Sequence, residues 1–314
     1  MAGTIIKERW TGKVLEMVIG RGPSAIKVGG DGTLPFLHYE GKMPNRPAVA
    51  LEVWDVEPED WPEMVTGPFA GVLGDPVAWA GKCVEMGADL VCLRLAGTHP
   101  DNQDATPEGA AATAKAVAEA VNVPLIVTGC GIEEKDAVTL PVVGEALSGK
   151  GVLLGCATAN NYKSITTACK EHGHNIIAST PLDINLAKQL NILINEMDLP
   201  LNRIAMDPLV GALGYGIEYA YSIMERSRLG ALTGDKMLAI PVICFAGQET
   251  WKTKEAKTKD NEEWGTQDRR AILWEAAAAA VFAQAGGSIM VLRHPESLKQ
   301  YKKHISALMK PQVY

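Results

Sequence analysis

The sequence predicts an α/β protein, a (β/α)8 TIM barrel with an N-terminal β-hairpin extension, and three observations lead to this fold class. Eight short apolar runs are each followed by a stretch in which apolar residues recur at helical spacing. The runs are continuously apolar, which is typical of parallel strands buried on both faces. The length of 314 residues could hold two average domains, but eight such units favour one barrel over an open doubly wound sheet. No GxGxxG loop follows the first strand, which weakens the nucleotide-binding alternative.

Residues 1–46 differ from the rest of the chain and form a predicted amino-terminal extension. The segments VLEMVIG and AIKVGG flank GRGPS, a pattern that indicates a β-hairpin. A segment rich in glycine and proline, DGTLPFLHYEGKMPNRP, then leads to the barrel. The extension could cap one end of the barrel or dock on a partner, and both possibilities stay open. Residues 47–314 form the predicted barrel, so the chain is a single domain overall.

The barrel units follow one another from Pro47 to the end of the chain. In order, the predicted strands are AVALEVWD, DLVCLRLA, PLIVTG, VLLGCAT, NIIAST, RIAMD, PVICFAG and SIMVLRH. The predicted helices span about 75–87, 106–121, 133–147, 161–172, 183–197, 217–229, 271–284 and 295 onward. Capping residues mark several starts, because Asp75 and Thr106 each precede a proline and Asp183 can cap the fifth helix. Gly286-Gly287 is expected to stop the seventh.

The composition narrows the kind of partner this chain can have. A hydrophobic fraction of 47% is ample for a large core, and a net charge of −7 argues against nucleic acid or an anionic membrane as partner. No stretch reaches 18 uninterrupted apolar residues, and the start MAGTIIKERW has no apolar signal core. We therefore expect a soluble, cytoplasmic protein.

The six cysteines are scattered through the chain, with no CxxC pair and no cluster spaced with histidine. This spacing supports neither a zinc site nor an iron–sulfur site, although distant cysteines can converge in a fold. Most of them lie in apolar runs such as VCLRL and PVICF, which favours a role as small core residues.

Chemistry in such a barrel lies at the carboxyl ends of the strands, and the residues there are mostly hydroxyl, amide and glycine. In chain order they are Trp54, Asp55, Gly97, Thr98, His99, Thr128, Gly129, Cys130, Thr158, Asn160, Asn161, Ser179, Thr180, Asp207, Gln248, Glu249, Arg293 and His294. They offer no evident acid–base pair and no nucleophile with its base. Such a rim suits hydrogen bonding to a ligand with many amide groups. The alternative is that these residues are ordinary helix caps and turn residues.

The histidines of this rim, His99 and His294, are each followed by proline. A lone histidine at a strand end is more often a hydrogen-bonded loop residue than a base, so neither is predicted to be catalytic.

A glycine-rich loop follows the sixth barrel strand, in RIAMDPLVGALGYGIEYAYSIMER. Gly211, Gly214 and Gly216 let the backbone approach a ligand closely, since glycine tolerates positive φ. Asp207-Pro208 is expected to orient this loop, with ligand contact the lesser possibility for the carboxylate.

A polar insert, GQETWKTKEAKTKDNEEWGTQ, spans about 247–267 after the seventh strand. Its alternating charges are typical of a solvated loop. Trp251 and Trp264 bracket it, however, and large exposed aromatic residues tend to anchor interfaces. A lid or partner contact therefore remains as open as a solvated loop.

Several of these runs resemble a known family. DPLVGALGYGIEYAYSIMER, the tryptophan-bearing strand AVALEVWD and VLLGCATANNY resemble, in the same order, the small (delta) subunit of the corrinoid iron–sulfur protein. That protein is a methyl carrier of the anaerobic acetyl-CoA (Wood–Ljungdahl) pathway. The resemblance extends over essentially the whole chain.

The resemblance implies a heterodimer in which this chain is a non-catalytic barrel subunit. The large subunit would carry a [4Fe–4S] cluster and a corrinoid (cobalamin), and the corrinoid would lie over the mouth of this barrel. In agreement, this sequence lacks both a four-cysteine cluster motif and the Asp-x-His-x-x-Gly signature of free-standing cobalamin-binding domains. The cobalt would accept a methyl group from methyl-tetrahydrofolate through a separate methyltransferase and deliver it to acetyl-CoA synthase.

On this interpretation the chain has no catalytic and no metal-ligating residue, and its rim supplies a wall for the corrinoid. The residues expected to contact it are Thr128, Thr158, Asn160, Asn161, Thr180, Asp207, Gly211, Gly214, Gln248, Arg293 and His294.

The main alternative is an autonomous pterin-dependent methyltransferase, which resembles this chain in fold and binds pterin through Asp and Asn at strand ends. Asp55, Asn160 or Asn161, and Asp207 could take those roles. A barrel aldolase or lyase of the Schiff-base type is disfavoured, because no strand-end lysine is evident.

Overall fold

A closed barrel of eight parallel strands forms the body of the protein, as the sequence predicts. The computed structural model describes residues 6–260 and 262–311. The bounds of the barrel strands are β3 (Ala48–Trp54), β4 (Leu90–Arg94), β5 (Leu125–Thr128), β6 (Leu153–Ala157), β7 (Asn175–Ser179), β8 (Ile204–Asp207), β9 (Val242–Cys244) and β10 (Gly287–Leu292). They run in the order β10-β3-β4-β5-β6-β7-β8-β9 around the closed sheet.

Helices connect the strands and cover the outside of the barrel. They are α1 (Glu63–Thr66), α2 (Pro76–Glu85), α3 (Pro107–Ala120), α4 (Glu133–Ala146), α5 (Tyr162–His172), α6 (Ile184–Glu196), α7 (Ile217–Leu232), α8 (Ala246–Thr250), α9 (Lys254–Lys257), α10 (Gln267–Ala285) and α11 (Pro295–Leu308). Among the described residues, no helix is both long enough and apolar enough to cross a membrane.

The predicted caps form as expected. The Asp75 carboxylate accepts from the backbone N–H of Val77 at 3.0 Å, and the Thr106 hydroxyl accepts from that of Gly109 at 3.2 Å. Gly286, at φ 115°, ends α10. Each device satisfies backbone groups that a helix end leaves without a partner.

Several predicted boundaries shift by a few residues, and two of the shifts follow the seventh barrel strand. Helix α10 begins at Gln267, four residues before its predicted start at Ala271. Its first turn is polar and faces the surface, so the apolar pattern does not reveal it. The end of the predicted strand PVICFAG is helical, since α8 starts directly after Phe245. Gly247 allows this packing, because a Cβ there would lie 2.7 Å from Glu275 Oε1 and 2.8 Å from the backbone nitrogen of Arg293.

The predicted hairpin, β1 (Glu16–Ile19) and β2 (Ile26–Gly29), closes the amino-terminal end of the barrel. Met17, Ile19 and Val28 are fully buried and belong to the same apolar cluster as the barrel-interior side chains. Asn175, the first residue of β7, donates to the carbonyl of Val18 at 2.9 Å. The hairpin thus occupies one end of the barrel and leaves the carboxyl end open.

The predicted segment boundary lies close to the start of the barrel. Strand β3 begins at Ala48, one residue after the predicted start of the barrel segment at 47. Residues 1–5 and 312–314 of the two predicted segments, and Asn261 of the insert, lie outside the described residues.

Candidate functional site

Two cavities open at the carboxyl end of the barrel. The first, about 550 Å³, is lined by hydroxyl groups of Thr158, Ser179 and Thr180, and we call it the hydroxyl cavity. The second, about 620 Å³, is lined by Arg94 and Arg293, and we call it the arginine cavity. Arg94 and Gln248 line both, and Arg94 Nη2 donates to Gln248 Oε1 at 2.6 Å. This contact marks the boundary between the two.

Most of the predicted rim residues meet in these cavities. The hydroxyl cavity is lined by Thr158, Asn160, Asn161, Thr180, Asp207 and Gln248. Arg293 lines the arginine cavity, together with Trp54, His99 and Cys130 of the wider rim.

Four predicted residues line neither cavity. Thr128 is buried at the end of β5. A Cβ on Gly211 would lie 2.5 Å from the carbonyl oxygen of Tyr215, so this glycine serves the packing of its own loop. Gly214 has φ +75° and open space around it. His294 caps α11, because its Nδ1 accepts from the backbone N–H of Glu296 at 3.1 Å.

Asp207 ends β8 on the floor of the hydroxyl cavity. Its Oδ2 accepts from the Ser179 hydroxyl at 2.8 Å, and its Oδ1 accepts from the backbone N–H of Leu209 at 3.0 Å. The side chain is buried, and this burial raises the pKa of the carboxyl to about 6 despite those hydrogen bonds. Asp207 therefore sits near the point where both protonation states are populated at neutral pH.

The amides of Asn160 and Asn161 are largely used within the protein. Asn161 Oδ1 accepts from the backbone N–H of Thr158 at 2.7 Å, and its Nδ2 donates to the carbonyl of Glu133 at 3.4 Å. Asn160 Nδ2 donates to Glu133 Oε2 at 2.6 Å. These contacts tie the loop after β6 to the start of α4, so Asn161 shapes the wall rather than offering free groups to a ligand.

Thr180 carries a buried hydroxyl group at the hydroxyl cavity. It lines the hydroxyl cavity, it is only 5% exposed, and its Oγ1 has no hydrogen-bond partner among the described residues. A buried polar atom without a partner costs free energy, so a ligand that satisfies it gains affinity.

A buried carboxylate that the sequence reasoning missed holds the loop after β5. Asp136 of α4 accepts from the backbone N–H of Cys130 at 2.9 Å and of Gly131 at 3.0 Å. Gly129 is required there, because a Cβ would lie 2.0 Å from Asp136 Oδ1. Burial raises the pKa of Asp136.

A charge cluster beneath the arginine cavity was also missed. Glu52, in the middle of β3, is 1% exposed and accepts from Arg94 Nε at 2.8 Å and Arg293 Nε at 2.6 Å. Burial alone would raise the pKa of this carboxyl, but the charges of Arg293 and Arg94 lower it to about 2. The available signal was a glutamate and an arginine, Glu52 and Arg94, inside otherwise apolar runs.

The arrangement favours binding over bond breaking. Cys156 Sγ lies 4.0 Å from Asp207 Oδ2, but burial raises the pKa of its thiol to about 12, so it stays protonated. Burial lowers the pKa of His294 to about 4, and this histidine is tied to a helix cap. Within the described ranges, no three His, Cys, Asp or Glu side chains are grouped to hold a metal ion.

Apolar side chains border the hydroxyl cavity on its open side. Leu186 and Leu209 line the cavity and are 44% and 50% exposed. Leu182 and Tyr219, which share a neighbouring groove, are 40% and 64% exposed. We call these four residues the apolar collar, a concentration of exposed apolar surface typical of contact sites.

The polar insert is folded, not a loose loop. Trp251 is 1% exposed, and its ring centre lies 6.0 Å from that of His294, so it is a core residue and not an exposed aromatic residue of the insert. Arg270 donates to the backbone carbonyls of Glu255, Thr258, Trp264 and Gly265. Trp264 remains 37% exposed, with Lys254 and Arg270 over its ring.

Comparison with known sequences gives a consistent result. The family described as "CO dehydrogenase/acetyl-CoA synthase delta subunit" matches residues 16–302. The acetyl-CoA decarbonylase/synthase complex subunit delta of Archaeoglobus fulgidus is 32% identical over 96% of this chain and 70% of that protein. Subunit delta 1 of Methanosarcina thermophila is 34% identical over 94% of this chain and 70% of that protein.

Solved structures with the same fold include dihydropteroate synthases. The enzyme of Xanthomonas albilineans with 4-aminobenzoic acid aligns with a TM-score of 0.58 at 13% identity, over 87% of this chain and 96% of that one. The enzyme of Coxiella burnetii in complex with pteroic acid gives 0.56 at 14% identity, over 88% and 98%. At these identities the likeness concerns the fold alone.

Proposed function

The chain belongs to the CO dehydrogenase/acetyl-CoA synthase delta subunit family, and on that premise we propose that its barrel mouth shelters a corrinoid held by a larger partner subunit. The chain is thus a subunit of the acetyl-CoA decarbonylase/synthase complex, and its proposed contribution is a wall for the cofactor. The [4Fe–4S] cluster and the corrinoid are assigned to the large subunit. When bound, the corrinoid's cobalt supplies the centre that takes a methyl group from methyl-tetrahydrofolate, through a methyltransferase, and gives it to acetyl-CoA synthase.

The observation that carries this proposal is the buried Thr180 hydroxyl, which has no hydrogen-bond partner among the described residues and belongs to a residue that lines the hydroxyl cavity. A corrinoid carries many amide groups at its edge, and such groups can donate to and accept from a hydroxyl. The side chain of Gln248, at the boundary of the two cavities, accepts from Arg94 and donates to Glu249, so one N–H of its Nε2 is left for the same ring. The donor and acceptor set therefore fits the group.

The chain's own residues then have three tasks. Thr180 and Gln248 orient the ring edge by hydrogen bonding. Leu186 and Leu209 of the apolar collar exclude water from the covered face. Arg94, whose Nε donates to Glu52 at 2.8 Å, places a fixed positive charge at the floor of the two cavities that it lines. None of these residues needs to form or break a bond.

Thr180→Val tests this assignment, since valine keeps the shape and removes the hydroxyl. The chain is co-expressed with its large subunit and purified anaerobically, and corrinoid per complex is read from the absorption spectrum after gel filtration. We expect corrinoid retention to fall severalfold, in line with the loss of about 1–2 kcal/mol for one hydrogen bond.

The control is Thr167→Val, which changes an exposed threonine on the outer face of α5. Equal corrinoid content in Thr180→Val and in the control would contradict the placement of the ring over the hydroxyl cavity. Iron that stays with this chain after the subunits are separated would contradict the division of cofactors.

The autonomous pterin methyltransferase loses support from the geometry. Asp55 lines neither cavity and accepts from the backbone N–H of Gly97 at 2.8 Å, and Asn161 is occupied by Thr158 and Glu133. Of the residues considered for pterin, Asp207, Asn160 and Asn161 line the hydroxyl cavity, but both asparagine amides already make hydrogen bonds within the protein. Saturable binding of methyl-tetrahydrofolate by the isolated chain would restore this alternative.

A further inference from the structure

The floor of the arginine cavity holds more positive than negative charge. Two guanidinium groups, of Arg94 and Arg293, bind a single carboxylate, that of Glu52. The side chains of the two arginines are only 16% and 8% exposed. The buried carboxyl groups of Asp207 and Asp136 also interact with the charge of Arg94, so the positive charge that is left without a compensating anion is that of Arg293. A positive charge with little water around it costs free energy unless an anion compensates it.

Both arginines also have N–H donors beyond those that bind Glu52. Each uses its Nε for Glu52, so the terminal nitrogens are left for other partners. Among the described residues, the terminal nitrogens of Arg293 make no hydrogen bond with the protein, and Arg94 uses only Nη2, for Gln248. The cavity that both side chains line is where those donors can find an acceptor.

Aromatic packing fixes the orientation of one of these groups. The Arg293 guanidinium lies 4.2 Å from the centre of the Trp61 ring and 5.8 Å from that of Trp54. A guanidinium stacked on a ring offers its edge, not its face, to a ligand. The fork of donors at that edge matches the two oxygens of a carboxylate or phosphate.

The other charges of the cavity lie nearer to solvent. Lys252 and Lys257 line it, and Lys252 is paired with Glu249 at 2.7 Å. Three acidic residues also line it, namely Glu59, Asp60 and Asp101. All three are exposed, and the Asp101 side chain is 93% exposed, so water screens them more than it screens the buried arginines.

We propose that the arginine cavity binds the carboxylate or phosphate group of a small anionic molecule, with terminal nitrogens of Arg293 and Arg94 as donors. A volume of about 620 Å³ accommodates a small organic acid or phosphate ester. All the groups involved belong to this chain, so the proposal does not rest on the corrinoid and holds or fails separately from it.

Titration calorimetry of the full chain tests the proposal, with inorganic phosphate in one arm and malonate in the other, at constant ionic strength set with chloride. We expect one saturable site for at least one of the two anions. Arg293→Gln should weaken that affinity by about tenfold or more, because it removes the charged fork. Lys303→Gln, which removes an exposed positive charge from α11, should leave the affinity unchanged.

The two arms also identify the ligand class. Saturation by phosphate alone indicates a phosphate ester, and saturation by malonate alone indicates a carboxylic acid. The absence of a saturable site for both anions would overturn the proposal, as would equal affinities in the wild type and Arg293→Gln.

Glu52→Gln provides a second variant with an effect of opposite sign. It keeps an oxygen acceptor for the arginines but removes the negative charge that competes with the ligand. Affinity should rise severalfold, a gain that a purely structural role of the cluster would not produce. Unchanged or weaker binding in a folded Glu52→Gln chain counts against the site, and the wild-type titration decides if either variant fails to fold.

Discussion

Asp207 illustrates how position in the barrel sets the chemistry of a single residue. It lies at the end of a strand whose four residues are all buried, so the carboxyl has little water around it. Ser179 and Leu209 supply hydrogen bonds, but burial outweighs them and the pKa rises from 3.8 to about 6. When Asp207 is ionised, its burial therefore lowers the free energy of unfolding of the chain. The residue serves structure and binding in spite of this cost.

The pH dependence of stability follows from this shift. Between about pH 4 and 6 the folded chain holds the Asp207 proton more tightly than the unfolded chain, so its contribution to the free energy of unfolding falls as pH rises. Asp207→Asn cannot ionise. We expect it to be less stable than the wild type at low pH, and this difference to shrink by up to about 3 kcal/mol at neutral pH.

Urea unfolding at a series of pH values, followed by circular dichroism, measures this difference. Thr167→Val, a change at an exposed threonine of α5, is the control, and its difference from the wild type should not vary with pH because it adds and removes no ionisable group. A difference between wild type and Asp207→Asn that is the same at all pH values would contradict the raised pKa.

The structural elements separate what sequence patterns reveal from what they leave hidden. Continuous apolar runs predict the strands because burial on both faces is a local property of each run. The insert resembles a loop in sequence because buried residues such as Trp251, Thr253 and Ala256 are spaced among charges. Its two short helices, and the hydrogen bonds by which Arg270 ties α9 and the segment after it to α10, depend on contacts that no local pattern records.

Some residues of the candidate site can likewise be predicted from sequence patterns, and others cannot. Barrel geometry brings Thr180 and Asp207 to the hydroxyl cavity from their positions at strand ends. Glu52, Arg94 and Arg293 were harder to connect, since Glu52 is 42 residues from Arg94 and 241 residues from Arg293 in the chain. Glu52 meets Arg293 only because the first and last barrel strands, β3 and β10, pair, whereas it meets Arg94 because β4 pairs with β3.

Arg270 allows the folding of the insert to be tested. Arg270→Gln removes donors to four backbone carbonyls, so we expect the segment from α9 to the start of α10 to open locally while the barrel stays folded. Limited trypsin digestion should then cleave after Lys257 or Lys259 severalfold faster. Arg269→Gln, at the exposed neighbouring position, is the matched control. Equal cleavage rates in the two variants would show that Arg270 does not hold the insert.

At the scale of the whole molecule, one end of the barrel is closed and the other is open. The hairpin fills the amino-terminal end with Met17, Ile19 and Val28, all fully buried. The other end keeps two cavities open and adds the apolar collar beside the hydroxyl cavity. Exposed leucine and tyrosine side chains at an open mouth are costly in water, and they favour a partner that covers them.

The apolar collar is therefore the surface at which we expect the larger subunit to dock. The double variant Leu186→Asp/Leu209→Asp places two charges among the collar residues and should cut the amount of co-purified large subunit by about tenfold, as expected when interface anchors are lost. Val138→Asp/Leu273→Asp is the matched control, because these side chains are 60% and 47% exposed and line neither cavity. Pull-down from cells co-expressing both subunits, with thermal unfolding as a check on folding, measures the effect. If both double variants retain the large subunit equally, the collar faces solvent in the complex and docking must use another face of the barrel.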